Sequence, residues 1–217
     1  MSRLYLLMRN EFHLSPMDHS IRFYPLLLER TLDFIPVFPL PEGYRFSFYA
    51  PGDEAEWIRI EQSAGEFSAI EEGMQAWNSY FAPWKELLPK RMVFIETAEG
   101  RKCAVGSAWF NTHTGDLSDG RMHWIAIEKE SQGAHLAKPL IAKILQVMKE
   151  NGYEKIQVST KTNAWLASRI YLDFGFVPEK ENLRKEKDGW KILRRLTDHP
   201  SLAGIEPAEE DELFIES

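Results

Sequence analysis

The sequence has a single cysteine, and none of its apolar runs is long enough to span a bilayer. Cys103 lies in the apolar run KCAVGSAWF without a cluster of ligating side chains around it, so we interpret it as a small buried residue and predict no metal site. A transmembrane helix needs about 20 apolar residues in succession, so no membrane partner is expected. The N-terminal residues also lack the apolar run and cleavage site of a secretory signal, which predicts a cytoplasmic location.

Positive charge is missing from the C-terminal segment GIEPAEEDELFIES. This segment contains six acidic residues and no lysine or arginine, so it accounts for most of the formal net charge of -7. We predict a solvated, poorly ordered acidic tail at residues 201–217 and a nearly neutral body. A basic stripe of the kind that binds nucleic acid is also missing, and no nucleic-acid partner is expected.

Regular patterns begin after residue 43. Three prolines close together, Pro36, Pro39 and Pro41, disfavour regular structure, although RLYLLMRN and IRFYPLLLER could each form a strand or a short helix. We therefore predict an N-terminal extension at residues 1–43 that packs on a main domain at residues 44–200.

Five segments of the main domain have the pattern of strands. They are YRFSFYA, RMVFIET, KCAVGSAWFNT, RMHWIAIE and EKIQVST. Only short, turn-like segments separate the second, third and fourth of these, which predicts that the three are antiparallel neighbours. FVPEK and WKILRRL are predicted to be two closing strands.

Helical patterns lie between these strands. PGDEAEWIRIEQSAG predicts a helix capped by Asp53, and apolar residues recur at helical spacing from Leu136 to Met148. NAWLASRIYLDFG predicts another helix, with Asn163 as its N-cap. The strand EKIQVST follows a crossover helix and is expected to pair in parallel. The elements together predict an α+β fold, with a mixed, largely antiparallel central sheet flanked by helices.

The segment QGAHLA connects the strand RMHWIAIE to the helix that follows it. The first N–H groups of a helix have no intrahelical partner and the helix dipole is positive there, so such a turn can bind a phosphate. Gly133, Ala134 and Ala137 are small enough to let the backbone approach an anion. Since many helices begin with small residues, this feature alone does not distinguish an anion site from an ordinary helix start.

Two motifs in this order resemble the GNAT superfamily of N-acetyltransferases. The central motif of that family has Gln or Arg, two residues, Gly, one residue, and Gly or Ala after a bulged strand, and residues 132–137 are similar to it. The second motif has an asparagine at the start of a helix and a tyrosine near its end, followed by Gly-Phe. Here these are Asn163, Tyr171, and Gly175 with Phe176. The resemblance covers residues 44–196 and implies the GNAT-like acyl-CoA N-acyltransferase fold.

The resemblance implies acetyl-CoA as the cofactor and assigns roles to particular residues. Main-chain groups of one strand would pair with the pantetheine arm, and the turn after it would hold the pyrophosphate. The strand residues are Ile125, Ala126 and Ile127, and the turn residues are Gln132, Gly133, Ala134, His135, Leu136, Ala137 and Lys138. Asn163 would contact the arm, and Tyr171 would protonate the departing thiolate, although Tyr171 could also be an ordinary core residue.

His135 stands where the family has a glycine. If the glycine is needed for a positive φ, histidine is strained at this position. If it is needed only so that the backbone can approach the phosphates closely, the imidazole must point away from the phosphates. Histidine adopts left-handed conformations more often than most other residues, so we expect the turn still to bind the cofactor. A phosphate contact by protonated His135 and a tolerated surface substitution both remain open.

Direct acyl transfer also needs a group that accepts the proton of the attacking amine. His123, on the strand RMHWIAIE, and Glu66, in AGEFSAIEE, are the catalytic candidates, with a structural histidine and an ordinary exposed acid as the alternatives. The tryptophans are scattered along the sequence, and we interpret them as core residues. The exception is the segment EFSAIEEGMQAWNSYFAPWKELL, whose aromatics are expected to line the acceptor pocket.

These expectations combine into one functional hypothesis. The sequence predicts an N-acetyltransferase that moves an acetyl group from acetyl-CoA to a primary amine of a small molecule or peptide by direct transfer. The alternative is a non-catalytic CoA-binding or regulatory module on the same fold, because fold resemblance alone does not settle activity. The identity of the acceptor and the existence of a homodimer are left open.

Overall fold

The computed structural model describes residues 17–215 of the chain. The segment RLYLLMRN and the last two residues of the acidic tail lie outside this range. Strands within it are β1 (Pro25–Thr31), β2 (Tyr44–Phe48), β3 (Met92–Thr97), β4 (Lys102–Asn111), β5 (Asp116–Ile127), β6 (Lys155–Lys161) and β7 (Val177–Pro178). The α-helices are α1 (Glu54–Ala64), α2 (Ile70–Tyr80), α3 (Leu88–Arg91), α4 (Ala137–Glu150), α5 (Trp165–Asp173), α6 (Lys180–Lys185), α7 (Lys187–Thr197) and α8 (Glu210–Leu213).

The chain divides into two compact units. Among the described residues, one unit comprises residues 31–157, and the other combines residues 17–30 with residues 158–215. The domain boundaries expected from the sequence, after residues 43 and 200, stay a prediction. Between residues 17 and 215, no helix has both the length and the apolar character needed to cross a membrane.

In the unit of residues 31–157, four strands form an antiparallel sheet in the order β2, β3, β4, β5. Side chains of β4 alternate between its two faces. Val105 and Trp109 join the core that α1 and α2 cover, whereas Gly106 faces Ile144 of α4, which leaves no room there for a Cβ. Helices therefore flank this sheet on both faces, and the predicted α+β class with a largely antiparallel sheet is confirmed.

The other unit contains one correction of a predicted strand. WKILRRL belongs to helix α7 and not to a closing strand, because its buried residues Trp190, Leu193 and Leu196 are spaced three apart, as one face of a helix requires. The segment FVPEK does contribute a strand: β7 pairs antiparallel with β1 through Pro178 and Leu28.

The acidic tail is also more ordered than expected. Leu202, Ala208 and Leu213 are buried. Helix α8 begins with a capping box in which the side chains of Glu209 and Glu212 each accept a backbone N–H of the first turn. The predicted poor order of the tail is therefore wrong for residues 201–215, because buried apolar residues between the acids hold this part of the chain, whereas the acidic residues themselves are exposed.

Candidate functional site

Strand β5 contains a β-bulge in its pairing with β4. A single residue of β4, Gly106, lies opposite two residues of β5, Trp124 and Ile125, and Trp124 has a positive φ of 49°. A bulge interrupts the ladder and frees main-chain groups at that point. The residues predicted to pair with a pantetheine arm begin here: Ile125 and Ile127 are half-buried, and Ala126 is buried.

The turn after β5 is left-handed at two positions. Gly133 has a φ of 82° and His135 a φ of 58°. The position of His135 therefore does require a positive φ, which costs an ordinary residue about 1–2 kcal/mol. Both residues are exposed, and nothing lies within 4 Å of the point where a Cβ on Gly133 would be. The turn is open to a ligand at Gly133, and the His135 imidazole lies outside the packed core.

The backbone amides of this turn are available to an anion. In the described part of the chain, the N–H groups of Gly133, His135 and Leu136 have no hydrogen-bond acceptor, and the 14-residue helix α4 starts directly after them. The N–H of Ala134 donates to the carbonyl of Ser131 over 3.4 Å. Unpaired N–H groups at the positive end of a helix are the usual donors to phosphate, so the turn fits the pyrophosphate of an acyl-CoA.

Two side chains of the predicted cofactor set have partners within the chain. Gln132 Nε2 donates a hydrogen bond to the carbonyl of Ile127 over 3.1 Å, so this side chain ties the turn to the end of β5. The exposed ammonium group of Lys138 lies 5.7 Å from the ring centroid of Phe38. Gln132 therefore orders the backbone of the turn, while Lys138 adds positive charge at the start of α4.

A fully buried carboxylate lies at the start of the turn. Glu128 follows β5 directly, and its carboxylate accepts hydrogen bonds from Arg59 Nη1 (2.6 Å), Ser131 Oγ (2.9 Å) and Arg101 Nη1. Arg59 also binds Glu56 of its own helix and the carbonyl of Lys102. Glu128 therefore links the turn after β5 to α1 and to the hairpin between β3 and β4.

The charge of Glu128 is set by these donors. Burial alone would raise the pKa of its carboxyl group, but the hydrogen bonds from Arg59, Ser131 and Arg101 outweigh burial and hold the pKa below its ordinary value. The group is therefore ionised at neutral pH. The sequence analysis missed this network, because nothing in the spacing of Arg59 and Arg101 indicates that they meet at Glu128.

His123 lies on β5, one residue before the bulge. Burial, followed by the nearby charges of Arg121 and His113, lowers the pKa of His123 to about 4. Its ring lies 5.7 Å from the ring of Tyr80 in α2. The imidazole is therefore neutral at pH 7 and can accept a proton, but only as a weak base.

Glu66, the other predicted base, lies in a different environment. Helix α1 ends at Gly65, which has a φ of 93°, and the N–H of Glu66 closes the helix by donating to the carbonyl of Glu61 over 3.0 Å. The residue is exposed. In the structure, Glu66 is thus an acid on the surface of the turn between α1 and α2.

Tryptophans that are far apart in the sequence form a cluster over the bulge. The ring of Trp57 lies 5.2–5.7 Å from the rings of Phe67, Trp77, Phe81 and Trp124. These are favourable distances for packed aromatic pairs. The interpretation as a core residue is confirmed for Trp57, which is buried, whereas Trp124 is half-buried beside the bulge. Trp77, from the segment expected to line the acceptor pocket, is also buried.

Helices α1 and α2 also border a cleft of about 520 Å³. Its lining is mainly apolar, with a few polar groups, and comes from both helices. The lining residues are Glu54, Ala55, Ile58, Arg59, Gln62, Ile70, Met74, Trp77 and Asn78. Met74 and Trp77 belong to the segment expected to line the acceptor pocket, and Arg59 belongs to both the cleft and the Glu128 network.

The two remaining predicted residues, Asn163 and Tyr171, lie in the other unit. Asn163 is part of a 3-10 turn, and the N-cap of α5 is Ala164, so the predicted capping role of Asn163 is wrong. Its carbonyl accepts the N–H of Asp18 over 2.7 Å, while its buried Oδ1 has no hydrogen-bond partner within residues 17–215. An unpaired buried acceptor is costly, which makes Asn163 Oδ1 a candidate contact for a ligand N–H.

Tyr171 lies near the C-terminal end of α5. Only 6% of the residue is exposed, and its ring lies 5.9 Å from that of Phe176. The carbonyl of Tyr171 accepts the N–H of Phe176 over 3.1 Å, which folds the chain back after the helix. Tyr171 is therefore packed against the apolar core of its unit, and its role as a proton donor stays a prediction.

Cys103 is buried, and burial raises the pKa of its thiol. Across residues 17–215, no group of three or more His, Cys, Asp or Glu side chains is placed to hold a metal ion.

Comparison with known proteins extends these observations. A family model described as the acetyltransferase (GNAT) family matches residues 54–176, more than half of the chain. Mycothiol acetyltransferase from Actinosynnema mirum is 25% identical over 152 residues, which cover 69% of this chain and 50% of that protein.

Solved structures give the same picture for the fold. A GCN5-related N-acetyltransferase from Sphaerobacter thermophilus superposes with a TM-score of 0.57 at 19% identity, covering 74% of this chain and 49% of that one. A GNAT-family acetyltransferase from Colwellia psychrerythraea gives 0.53 at 13% identity, covering 74% and 55%. The chain therefore spans about half the length of these relatives. The matched family model, supported by the shared fold, shows that the chain belongs to the GNAT family of acetyltransferases.

Proposed function

We propose that this chain moves an acetyl group from acetyl-CoA to a primary amine by direct transfer. The observation that carries the proposal is the turn at residues 132–137. Unpaired N–H groups of Gly133, His135 and Leu136 lie at the start of α4, directly after a bulged strand. The family match supports acyl transfer in general, and the name of the curated relative supports acetyl as the group transferred.

The residues present fit an acyl-CoA. The three unpaired amides would donate to the pyrophosphate, Lys138 would add positive charge, and the open space at Gly133 would admit the phosphates. Main-chain groups of residues 125–127 would bind the amides of the pantetheine arm. In the other unit, the unpaired Oδ1 of Asn163 is a proposed acceptor for a ligand N–H.

Acetyl-CoA, when bound, supplies a thioester whose carbonyl carbon is attacked by the amine. The C–N bond forms as the C–S bond breaks, so one proton must leave the nitrogen and one must reach the sulfur. His123 is the proposed acceptor of the first proton, through a water or directly, because it lies beside the bulge and is neutral at pH 7, although its low pKa makes it a weak base. Glu66 is the alternative acceptor, and the phenol of Tyr171 is the proposed donor to sulfur.

A calorimetric titration with acetyl-CoA, CoA and pantetheine tests the cofactor step. We expect micromolar binding of both CoA compounds, weakened by added salt, and at least tenfold weaker binding of pantetheine, which lacks the pyrophosphate. Equal affinities for CoA and pantetheine would remove the turn from the site. No binding of any of the three would overturn the proposed function.

A panel of primary amines then tests transfer. With acetyl-CoA present, an accepted amine releases CoA thiol at a rate that saturates with amine concentration. Small apolar amines, polyamines, amino acids and lysine peptides sample the acceptor classes that the sequence leaves open. Binding of CoA without turnover on any of them would favour the alternative function, a non-catalytic CoA-binding module.

A further inference from the structure

The turn after β5 contains a residue, His135, that is poorly suited to the backbone conformation it adopts. His135 has a φ of 58°, a region that non-glycine residues rarely adopt. Strained backbone conformations of this kind persist only where the surrounding structure determines them from several sides. The contacts on either side of His135 are therefore informative.

On its N-terminal side the turn is anchored through Ser131. The hydroxyl of Ser131 donates to the buried Glu128 carboxylate (2.9 Å), its N–H donates to the Glu128 carbonyl (3.0 Å), and its own carbonyl accepts the N–H of Ala134 (3.4 Å). Glu128 is in turn held by Arg59 and Arg101. Ser131 is buried, and two hydrogen bonds join it to Glu128 at the end of β5 while a third joins it to Ala134 within the turn.

Helix α1 forms a second hydrogen-bonded contact with the turn, and helix α4 holds the C-terminal end of the turn. The N–H of Lys129 donates to Ser63 Oγ over 2.9 Å, which joins the turn directly to α1. On the C-terminal side, Leu136 is buried and its carbonyl accepts the N–H of Leu140 over 3.0 Å. His135 thus lies between two fixed points, Ser131 and Leu136.

We propose that Glu128 and Ser131 are positioning residues that hold His135 in its left-handed conformation and so keep the turn in shape for the cofactor. The ion pairs of Glu128 keep the backbone of the turn rigid. A glycine at position 135 would not need this support, because glycine adopts the left-handed conformation without strain. The first part of the proposal, the conformation of His135, concerns the chain alone. The second part, the binding of the cofactor, rests on the proposed function.

A double-mutant cycle tests the conformational part. It compares the native protein with Ser131→Ala, His135→Gly and the double variant, using amide hydrogen exchange at Gln132, Ala134 and Leu140 measured by NMR. We expect Ser131→Ala to speed exchange at these amides at least tenfold. In the His135→Gly background, the same substitution should speed it less than threefold, because glycine adopts the conformation without support.

Ser107→Ala is the matched control. Ser107 is also fully buried, but it lies on β4 and its hydroxyl has no partner within the described residues. Its substitution should leave exchange in the turn unchanged. The proposal is overturned if Ser131→Ala does not speed exchange, if Ser107→Ala speeds it as much, or if the Ser131→Ala effect is the same with glycine at 135.

The affinity for CoA, measured by calorimetry on the same four proteins, tests the cofactor part. We expect Ser131→Ala to weaken binding about tenfold and His135→Gly to restore most of that loss. If the native protein does not bind CoA, the proposed function fails, while the exchange data still decide the conformational part. If CoA binds equally to all four proteins, the positioning role for the cofactor is overturned.

Discussion

The turn between β5 and α4 and the turn between β6 and α5 both connect a strand to a helix, and both contain residues predicted to bind the cofactor. The first turn has two exposed residues in the left-handed conformation, Gly133 and His135. It is anchored by the buried carboxylate of Glu128, which forms ion pairs with two arginines. The second is a buried 3-10 turn, residues 162–164, without positive φ.

Neutral hydrogen bonds anchor the second turn. Thr162 Oγ1 accepts the N–H of Tyr24 over 2.9 Å and donates to the carbonyl of Arg22, and the N–H of Asp18 donates to the carbonyl of Asn163. The first turn leaves N–H donors unpaired, whereas the second leaves one acceptor, Asn163 Oδ1, unpaired. The two turns are therefore complementary to different chemical groups, an anion in one case and a neutral N–H in the other.

The largest effect is expected from breaking the ionic anchor of the first turn. Glu128→Ala removes the acceptor of two arginines and Ser131, and breaking a buried ion pair of this kind costs about 3 kcal/mol, the lower end of the usual range because both arginines are half-exposed. Urea denaturation would show this loss as a lower free energy of unfolding. A loss below about 1 kcal/mol would mean that the network contributes little.

The same anchor predicts a pH dependence with a definite sign. The folded protein holds the pKa of Glu128 below its unfolded value, so the stabilisation is complete above the unfolded pKa, about 4.3, and is lost as the pH falls through the folded pKa. Compared with Glu128→Gln, the native protein should be more stable at pH 7, and the difference should shrink below about pH 4. A difference that stays constant down to pH 3 would contradict the ionic role.

A second large effect, on the rate of acetyl transfer, is expected at Tyr171 in helix α5, which follows the second turn. Tyr171→Phe should slow acetyl transfer about 100-fold, the lower end for loss of a general acid, while the dissociation constant for CoA stays nearly unchanged. Steady-state kinetics with the best amine of the panel, together with calorimetry, separates the two quantities. Full turnover by the variant would remove Tyr171 from the mechanism and leave it as a core residue.

Thr162→Val is the neutral counterpart of the Glu128 variants. It leaves the N–H of Tyr24 and the carbonyl of Arg22 without their partner in a fully buried position, which should cost about 2 kcal/mol of unfolding free energy. Because no ionised group is involved, this loss should be the same at pH 4 and pH 7. A loss that changes with pH between these values would show that the two anchors do not differ as described.

The smallest effect is expected at His135. His135→Gly removes the strain of a left-handed histidine but adds chain flexibility, and the two changes nearly cancel. The dissociation constant for CoA, measured by calorimetry, should tighten or change by less than about threefold. A marked loss of affinity would show instead that the imidazole contacts the phosphates.

Local patterns predicted much of this fold. Alternating and continuous apolar runs indicated β2 to β6, helical spacing indicated α1, α4 and α5, and the motif around residues 132–137 indicated the turn. WKILRRL was misinterpreted because seven residues that combine apolar and basic side chains fit both the helical and the strand period until the buried side is known. Asn163 was assigned as a cap because the pattern does not show that a 3-10 turn comes before the helix.

Other features depend on residues that are distant along the chain. Glu128, Arg59 and Arg101 form one network although 69 residues separate the first two, and Trp57, Trp77 and Trp124 form one cluster. The pKa of His123 depends on burial and on neighbours that only the folded chain brings together. The sequence by itself determined most of the elements and the family motif, because these follow from local sterics and spacing. Tertiary structure decided which charges are buried, which amides stay unpaired and how His135 is held, because burial and pairing depend on contacts between segments that the order of residues does not show.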